Sequence, residues 1–332
     1  MSTNRPYVSV LIPMYNRERF IIQAINSVLN QKFQDFEIII VDDGSQDRSV
    51  ELAKSFEDKR IVIIENSTNL GIPKTRNIGI NHARGKYIAL LDSDDEMKPS
   101  RLKYQVRFLE HHNDYVGCGS WSNTIGSDGQ ILRHVRVRPI THESIKASFL
   151  FHCCIHNRTF MGRTDVMRSL QYNEDFEVGE DYELFLRLLD HGKLYNLPRI
   201  LVSAREHKDK ITRHKIDLNN QKKIHLAKLL LNKLGVEYAD DDLYYHIKIA
   251  RLRGVSSHDL EEEFFYWCEL WLDRILTANK ETNYFNQKKL NKVISKMWIN
   301  IVFKFMKEKN DIDFSRIFSS PMNKLFISQL VH

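Results

Sequence analysis

Three observations predict an α/β fold, a parallel doubly wound sheet followed by an α-helical region. Apolar runs of strand length alternate with helical periodicities through the first hundred residues, the signature of strand–helix–strand units. The fourth such run, Tyr87 to Leu91, ends abruptly in Asp92, Asp94 and Asp95. After about residue 215 the chain becomes rich in Lys, Leu, Ile, Tyr and Asn, and Trp267, Trp271 and Trp298 all lie there.

Taken in order, Tyr7 to Ile12 form a first strand, broken at Pro13-Met14-Tyr15-Asn16. Phe20, Ile21, Ala24, Ile25, Val28 and Leu29 recur at helical spacing. Phe36 to Val41 is a second strand that stops at Asp42-Asp43-Gly44-Ser45, and Asp47 and Ser49 open the next helix. Ile61 to Ile64 is a third strand; a loop with Asn69, Gly71 and Pro73 leads into a helix carrying Arg76 and Asn77. Tyr87 to Leu91 is the fourth strand. From 100 to 205 the pattern is mixed: a strand at Val116 to Trp121, a hairpin-like turn at Ser127-Asp128-Gly129, and a strongly helical segment after Gly179. Ile224 to Leu234 begins the helical appendage.

Parallel strands of α/β sheets present their carboxyl ends to ligands. Three acids crowded at such an end repel one another unless a cation sits among them. Mg²⁺ or Mn²⁺ suits them, because hard divalent cations prefer oxygen and bridge carboxylates to a substrate diphosphate. The competing reading is a solvated acidic turn that caps a helix starting near Pro99. Glu180 and Asp181 have a similar alternative, since acids in a first helical turn complement the helix dipole. For Asp42 the alternative is a turn-forming residue before Gly44. The glycine fingerprint of dinucleotide folds and the P-loop are both missing from the first turn, so phosphates are not held by a glycine cradle there.

With 332 residues, 42% hydrophobic and 28% charged, the chain is long enough for one large domain and a smaller one. A net charge of +6 permits an anionic substrate or membrane surface, and no nucleic acid partner is expected. Cys118, Cys153, Cys154 and Cys268 show neither metal spacing nor a disulfide framework, which reads as a reducing, cytoplasmic compartment. No signal peptide is read at the amino terminus, and no run reaches the roughly 18 apolar residues that span a bilayer.

Four segments together resemble the inverting family 2 glycosyltransferases of nucleotide-diphospho-sugar (GT-A, Rossmann-like) fold. They are Val8 to Asn16, Ile40 to Ser45, Leu91-Asp92-Ser93-Asp94-Asp95, and Gly179 to Arg187. The resemblance covers roughly residues 6 to 215, so a catalytic domain at 1–215 and a helical region at 216–332 are expected. Ile155 to Met161 with its flanks is similar to bacterial transferases that extend lipooligosaccharide, O-antigen or capsular glycans.

That resemblance implies roles. Asp42 would accept the uracil imide N–H, and Pro13, Tyr15 and Asn16 would line the base and ribose pocket. Arg76 would meet the diphosphate, where a guanidinium fork fits paired oxygens. Asp92, Ser93 and Asp94 form the D-x-D segment; among Asp92, Asp94 and Asp95, one binds Mn²⁺ or Mg²⁺ and another touches ribose. His207 would complete the metal site or touch the diphosphate, against a surface or core role. His156 and Glu180 would lie on the acceptor side. Asp181 would be the catalytic base of one in-line displacement that moves a hexose or N-acetylhexosamine from a UDP-sugar to a glycan or lipid-linked glycan hydroxyl, with inversion. The Gln-x-x-Arg-Trp motif of processive members is not found after Leu189, so one sugar per encounter is expected.

Other functions compete. A dehalogenase-type phosphatase places its Asp-x-Asp after the first strand, and a sugar-nucleotide pyrophosphorylase has a glycine-rich first loop. Neither pattern is present. A degenerate transferase acting as a glycan-binding or scaffold protein is the non-enzymatic alternative. Residues 280–309 hold eight lysines and two glutamates around the apolar run Met297 to Met306. This permits peripheral contact with an anionic inner leaflet, while apolar residues running nearly all round the helix favour burial.

Overall fold

The computed structural model describes residues 5–207, 216–252, 260–308, 320 and 322–323. The expected boundary at 215 and Lys309 of the basic segment lie outside them. Two compact units form, one of Met1–His142 with Cys153–Lys215 and one of Glu143–His152 with Ile216–His332.

The first unit is built on one sheet. Its strands are β1 (Val8–Met14), β2 (Phe36–Asp42), β3 (Ile61–Glu65), β4 (Tyr87–Leu90), β5 (Glu96–Met97), β6 (Tyr115–Ile125), β7 (Ile131–Arg136), β8 (Met161–Arg163) and β9 (Lys193–Arg205). Their order is β3-β2-β1-β4-β8-β6-β9-β5, with β7 paired to β6. All seven residues of β2 are buried, as a strand covered on both faces requires. The helix Ile21–Leu29 buries Ile21, Ala24, Ile25 and Val28, the stripe read from its spacing.

Register brings the sequence motifs to one edge. Met14 lies opposite Asp42, and Leu11 lies opposite Leu90. The segments that follow β1, β2 and β4 therefore leave the sheet at the same end, β4 three residues before β1 and β2. The first four strands are parallel as expected, but the whole sheet is mixed. β8 runs antiparallel to both β4 and β6; it is a three-residue strand after a short 3₁₀ turn, too short to carry a periodicity. The hairpin at 126–130 joins β6 to β7, with Gly129 at φ 85°.

The second unit is helical, with helices Ile216–Lys233, Asp240–Ala250, Glu262–Thr282 and Gln287–Glu308. Trp271 and Trp298 are 1% exposed. His246 is fully buried and stacks on Phe151, its Nδ1 accepting from Trp271 Nε1 at 3.0 Å and its Nε2 donating to the Leu150 carbonyl at 2.8 Å. The last helix corrects the all-round apolar expectation. Leu290, Ile294, Trp298, Ile301 and Phe305 form one buried stripe, whereas Phe303 and Met306 are 65% and 41% exposed. No helix among the described residues is long and apolar enough to cross a membrane.

Candidate active site

The acidic segment turns sharply after β4, with the Asp95 N–H donating to the Asp92 carbonyl at 3.0 Å. Asp95 is fully buried. Its Oδ1 accepts the Arg205 backbone N–H and its Oδ2 accepts from Arg158 Nη1, both at 2.7 Å. Arg205 Nε also donates to the Asp94 carbonyl at 2.9 Å, and its Nη2 to Glu96. Arg205, at the end of β9, thus pins the turn from behind. Asp94 Oδ2 pairs with His207 Nε2 at 2.7 Å, and Ser93 is buried between its acidic neighbours in the chain.

Asp92, Asp94 and Asp95 each present an oxygen, all within 4.8 Å of one another. Burial, with the charges of Asp94 and Asp92 adding to it, pushes the Asp95 carboxyl up to about 7 against the pull of Arg158. Burial acts to raise Asp94 too, but the His207 hydrogen bond and the charges of Arg158 and Arg17 hold it below the ordinary value. Oxygen donors at this spacing, under mutual repulsion, fit a hard divalent cation.

Arg76, on the helix Ile72–His82, connects this turn to the helix Glu180–Leu188. Its Nη1 donates to Glu180 Oε1 at 2.5 Å, and its Nη2 lies 3.3 Å from Asp92 Oδ1. The guanidinium sits over the Tyr172 ring, 5.3 Å from its centroid. With the Asn157 amide oxygen turned toward Arg76, Nη2 is 2.8 Å from it and the amide nitrogen meets the Tyr172 hydroxyl at 2.7 Å. Asp181 follows Glu180 in the first turn, after Gly179 in the left-handed region at φ 77°. Burial, reinforced by the Glu180 charge, pushes the Asp181 carboxyl up to about 7 despite Arg76.

A cleft of ≈ 760 Å³ opens beside these groups, lined among others by Tyr15, Asn16, Arg17, Asp43, Lys74 and His207. Asn16 stitches its floor: Oδ1 accepts the Gln46 N–H at 2.9 Å, and its own N–H donates to Ser45 Oγ at 2.9 Å. The Asp42 carboxylate folds its own turn, accepting the N–H groups of Gly44 at 3.1 Å and Ser45 at 2.9 Å. Gly44 there has φ 75°, and a Cβ would lie 2.8 Å from the Thr68 carbonyl carbon, so only glycine fits. Asp43 ties in the loop before the Arg76 helix, accepting from the Leu70 and Gly71 N–H groups at 2.8 and 3.0 Å.

The expected residues thus divide. Tyr15, Asn16 and His207 line the cleft. Asp92, Asp94, Asp95, Arg76 and Glu180 form one charged network with Asp181 at its edge. Pro13 and Asp42 stand at the strand ends behind Tyr15 and Ser45. His156 lies away from the cleft lining and is hydrogen-bonded through Nε2 to Arg138. Sequence reasoning passed over Arg158, Arg205 and Asp43, although each lies inside or beside a quoted motif. The signal was a buried acid cluster's need for cationic partners.

A parallel half-sheet extended by antiparallel strands, with a carboxylate cluster at the strand ends beside a nucleotide-sized cleft, defines a glycosyltransferase of GT-A-like fold. The family described as Glycosyl transferase family 2 matches residues 9–171, and the chain belongs to that family. An uncharacterized glycosyltransferase of Haemophilus influenzae is 34% identical over 253 residues, 70% of this chain and 77% of the relative. One from Methanocaldococcus jannaschii is 35% identical over 199 residues, covering 58% of this chain and 68% of the relative. Among solved structures, S. aureus TarS 1-349 in complex with UDP-GlcNAc aligns with TM-score 0.60 at 16% identity, covering 91% of this chain and 88% of TarS 1-349.

Proposed function

We propose that this glycosyltransferase moves one hexose or N-acetylhexosamine from a UDP-sugar to a hydroxyl of a bacterial surface glycan, free or lipid-linked, by a single inverting displacement. The observation that carries the proposal is the Arg76 bridge, which sets Glu180 and Asp181 beside the acidic turn. The nucleoside end lies against Pro13, Tyr15, Asn16 and the turn held by Asp42. Arg17 and Lys74, which line the cleft, supply cationic charge on the diphosphate side. Arg76 serves the diphosphate indirectly, by fixing Asp92 and Glu180. The UDP reading is supported by the fold likeness to TarS in complex with UDP-GlcNAc.

Asp181 is the base. A carboxyl raised to about 7 is a better proton acceptor than an ordinary aspartate and is still ionised in good part at neutral pH. It takes the acceptor hydroxyl proton as that oxygen attacks the anomeric carbon, and the diphosphate departs from the opposite face. Mn²⁺ or Mg²⁺ would be held from among Asp92, Asp94 and Asp95, whose oxygens lie within 4.8 Å of one another, with His207, bonded to Asp94, as the further candidate ligand. A cation held there would neutralise charge growing on the diphosphate. The exposed Lys288, Lys292, Lys296 and Lys307 with Phe303 and Met306 on the last helix support peripheral contact with an anionic cytoplasmic leaflet. A panel of nucleotide sugars with MnCl₂ and nucleoside diphosphate release as readout tests the proposal. Release from one UDP-sugar, lost in Asp94→Ala, supports it; release from none, with no thermal shift on adding UDP and Mn²⁺, sinks it.

A further inference from the structure

The hairpin that joins β6 to β7 carries a bare strand. Every residue of 131–135 is exposed, so both faces of β7 are open. Among the described strands β7 pairs only with β6, which leaves its outer edge open too. Leu132 and Val137 are 62% and 63% exposed, and Ile131 and Val135 are exposed beside them. Four exposed aliphatic side chains within seven residues are more than the scattered singles of an ordinary surface. The rest of the strand is cationic. Arg133, His134 and Arg136 interleave with the aliphatics, and the one acid of residues 126–138 is Asp128. That acid is used in the turn, where its Oδ1 accepts the Gln130 N–H at 3.0 Å. Arg136 donates through Nε to Thr124 Oγ1 at 2.8 Å and meets Glu206 only at 3.9 Å.

Two occupants compete for such a strand. A second copy would pair along the open edge, and two observations argue against it. The β6–β7 register shifts twice, between Ser122 and Thr124 and between Thr124 and Ile125, and such irregularities twist an edge away from pairing. An antiparallel copy would also bring the cations of the two strands against one another. A lipid surface meets neither obstacle. It is fluid, so it covers aliphatic side chains on both faces of a ribbon, and anionic headgroups complement the interleaved arginines.

We propose that the β6–β7 hairpin is a membrane-docking element: Ile131, Leu132, Val135 and Val137 enter the headgroup boundary of an anionic bilayer, and Arg133 and Arg136 meet its phosphates. This surface is separate from the last helix, which belongs to the other compact unit. Arg205 roots the hairpin in the candidate active site. Its Nη1 donates to the Gly126 and Ser127 carbonyls at 3.1 and 3.3 Å, while its backbone N–H and Nε hold Asp95 and the Asp94 carbonyl. Docking the hairpin therefore also seats the acidic turn near the bilayer that carries a lipid-linked acceptor, a consequence that rests on the transferase reading.

Sedimentation of the full chain at low salt with vesicles containing phosphatidylglycerol, against vesicles of phosphatidylcholine alone, tests this. Leu132→Ser and Arg133→Gln are made separately, so that a variant that misfolds leaves the other. Each should weaken partition onto the anionic vesicles, by about fivefold for Arg133→Gln, the effect of one cation at such a surface. Each should weaken it further when added to the exchange of Lys288, Lys292 and Lys296 for Glu, since the two surfaces act separately. UDP affinity should be unchanged, because neither residue lines the cleft. Variants that bind anionic vesicles as the wild type does overturn the proposal, as does wild-type protein that binds no vesicles. A wild-type dimer in analytical ultracentrifugation that both variants dissociate, with vesicle binding unchanged, gives the strand to a second copy instead. Failure of the wild type to bind UDP would overturn the transferase reading and leave the vesicle result standing.

Discussion

Arg76 reaches one carboxylate 104 residues further along the chain and another 16 residues further along, with Nη1 2.5 Å from Glu180 Oε1 and Nη2 3.3 Å from Asp92 Oδ1. One buried cation thereby fixes both the acidic turn after β4 and the first turn of the helix that carries Asp181. Arg76→Ala leaves two carboxylates facing each other without it. The expected cost is about 3–5 kcal/mol of stability, as for removal of one partner of a buried ion pair. Turnover should fall by ~10²-fold or more, because reacting groups lose their alignment. Arg76→Lys keeps the charge but not the fork and should recover stability more than turnover. Urea denaturation beside kcat measurements checks both.

Asp181 gives a pH signature in two directions. Its folded pKa is raised to about 7, mainly by burial, so with Asp181 as the proposed base kcat should decline as pH falls through about 7 and the carboxylate becomes protonated. The stability sign is opposite to that of a salt-bridged acid. The folded protein holds this proton more tightly than the unfolded chain, whose carboxyl titrates at the model value of 3.8. The contribution is present below that value and lost as pH rises through about 7. Asp181→Asn should therefore abolish acceptor transfer yet raise Tm at pH 8 more than at pH 5. An Asp181→Asn protein whose Tm change is the same at both pH values would contradict this assignment.

His246 makes a separate prediction for the helical unit. Burial lowers its pKa to about 4, and the Trp271 N–H occupies its Nδ1. The neutral form is the folded one, so stability from this site is present above the ordinary value of 6.5 and lost as pH falls through about 4. Tryptophan fluorescence during urea titrations at pH 7 and pH 4.5 should show the loss, and a His246→Gln variant should show less of it.

Membrane contact rests on the exposed face of the last helix. Exchanging Lys288, Lys292 and Lys296 for Glu should reduce sedimentation with anionic vesicles at low salt, at about 1 kcal/mol per lysine. Catalysis with a water-soluble acceptor should be unaffected. Wild-type protein that stays in the supernatant would remove the membrane proposal.

The parallel half of the sheet was readable because its strands are short apolar runs ended by turn residues, as in Phe36 to Asp42. The segments 161–163 and 96–97 were not, since two or three residues carry no period and their pairing is decided by partners far away in sequence. The acids of the site stood out in Asp92 to Asp95 and Gly179 to Asp181. Their cationic partners did not, because Arg158 and Arg205 reach the turn from 63 and 110 residues further along the chain. Asp42 shows a limit of a different kind. The same carboxylate serves the turn through Gly44 and Ser45, so a strand-end acid before glycine has a local use that sequence alone weighs against a ligand. In the last helix, counting apolar residues without assigning them to faces hid a buried stripe and an exposed pair.

The most direct test of the central claim is the anomer first released when the enzyme hydrolyses its UDP-α-sugar in the absence of acceptor, followed by ¹H NMR faster than mutarotation. One displacement with water in the acceptor position predicts the β-sugar, with release lost in Asp94→Ala and much reduced in Asp181→Asn. Initial release of the α-sugar would mean two displacements or front-face attack, and would contradict Asp181 as the base of a single inverting step.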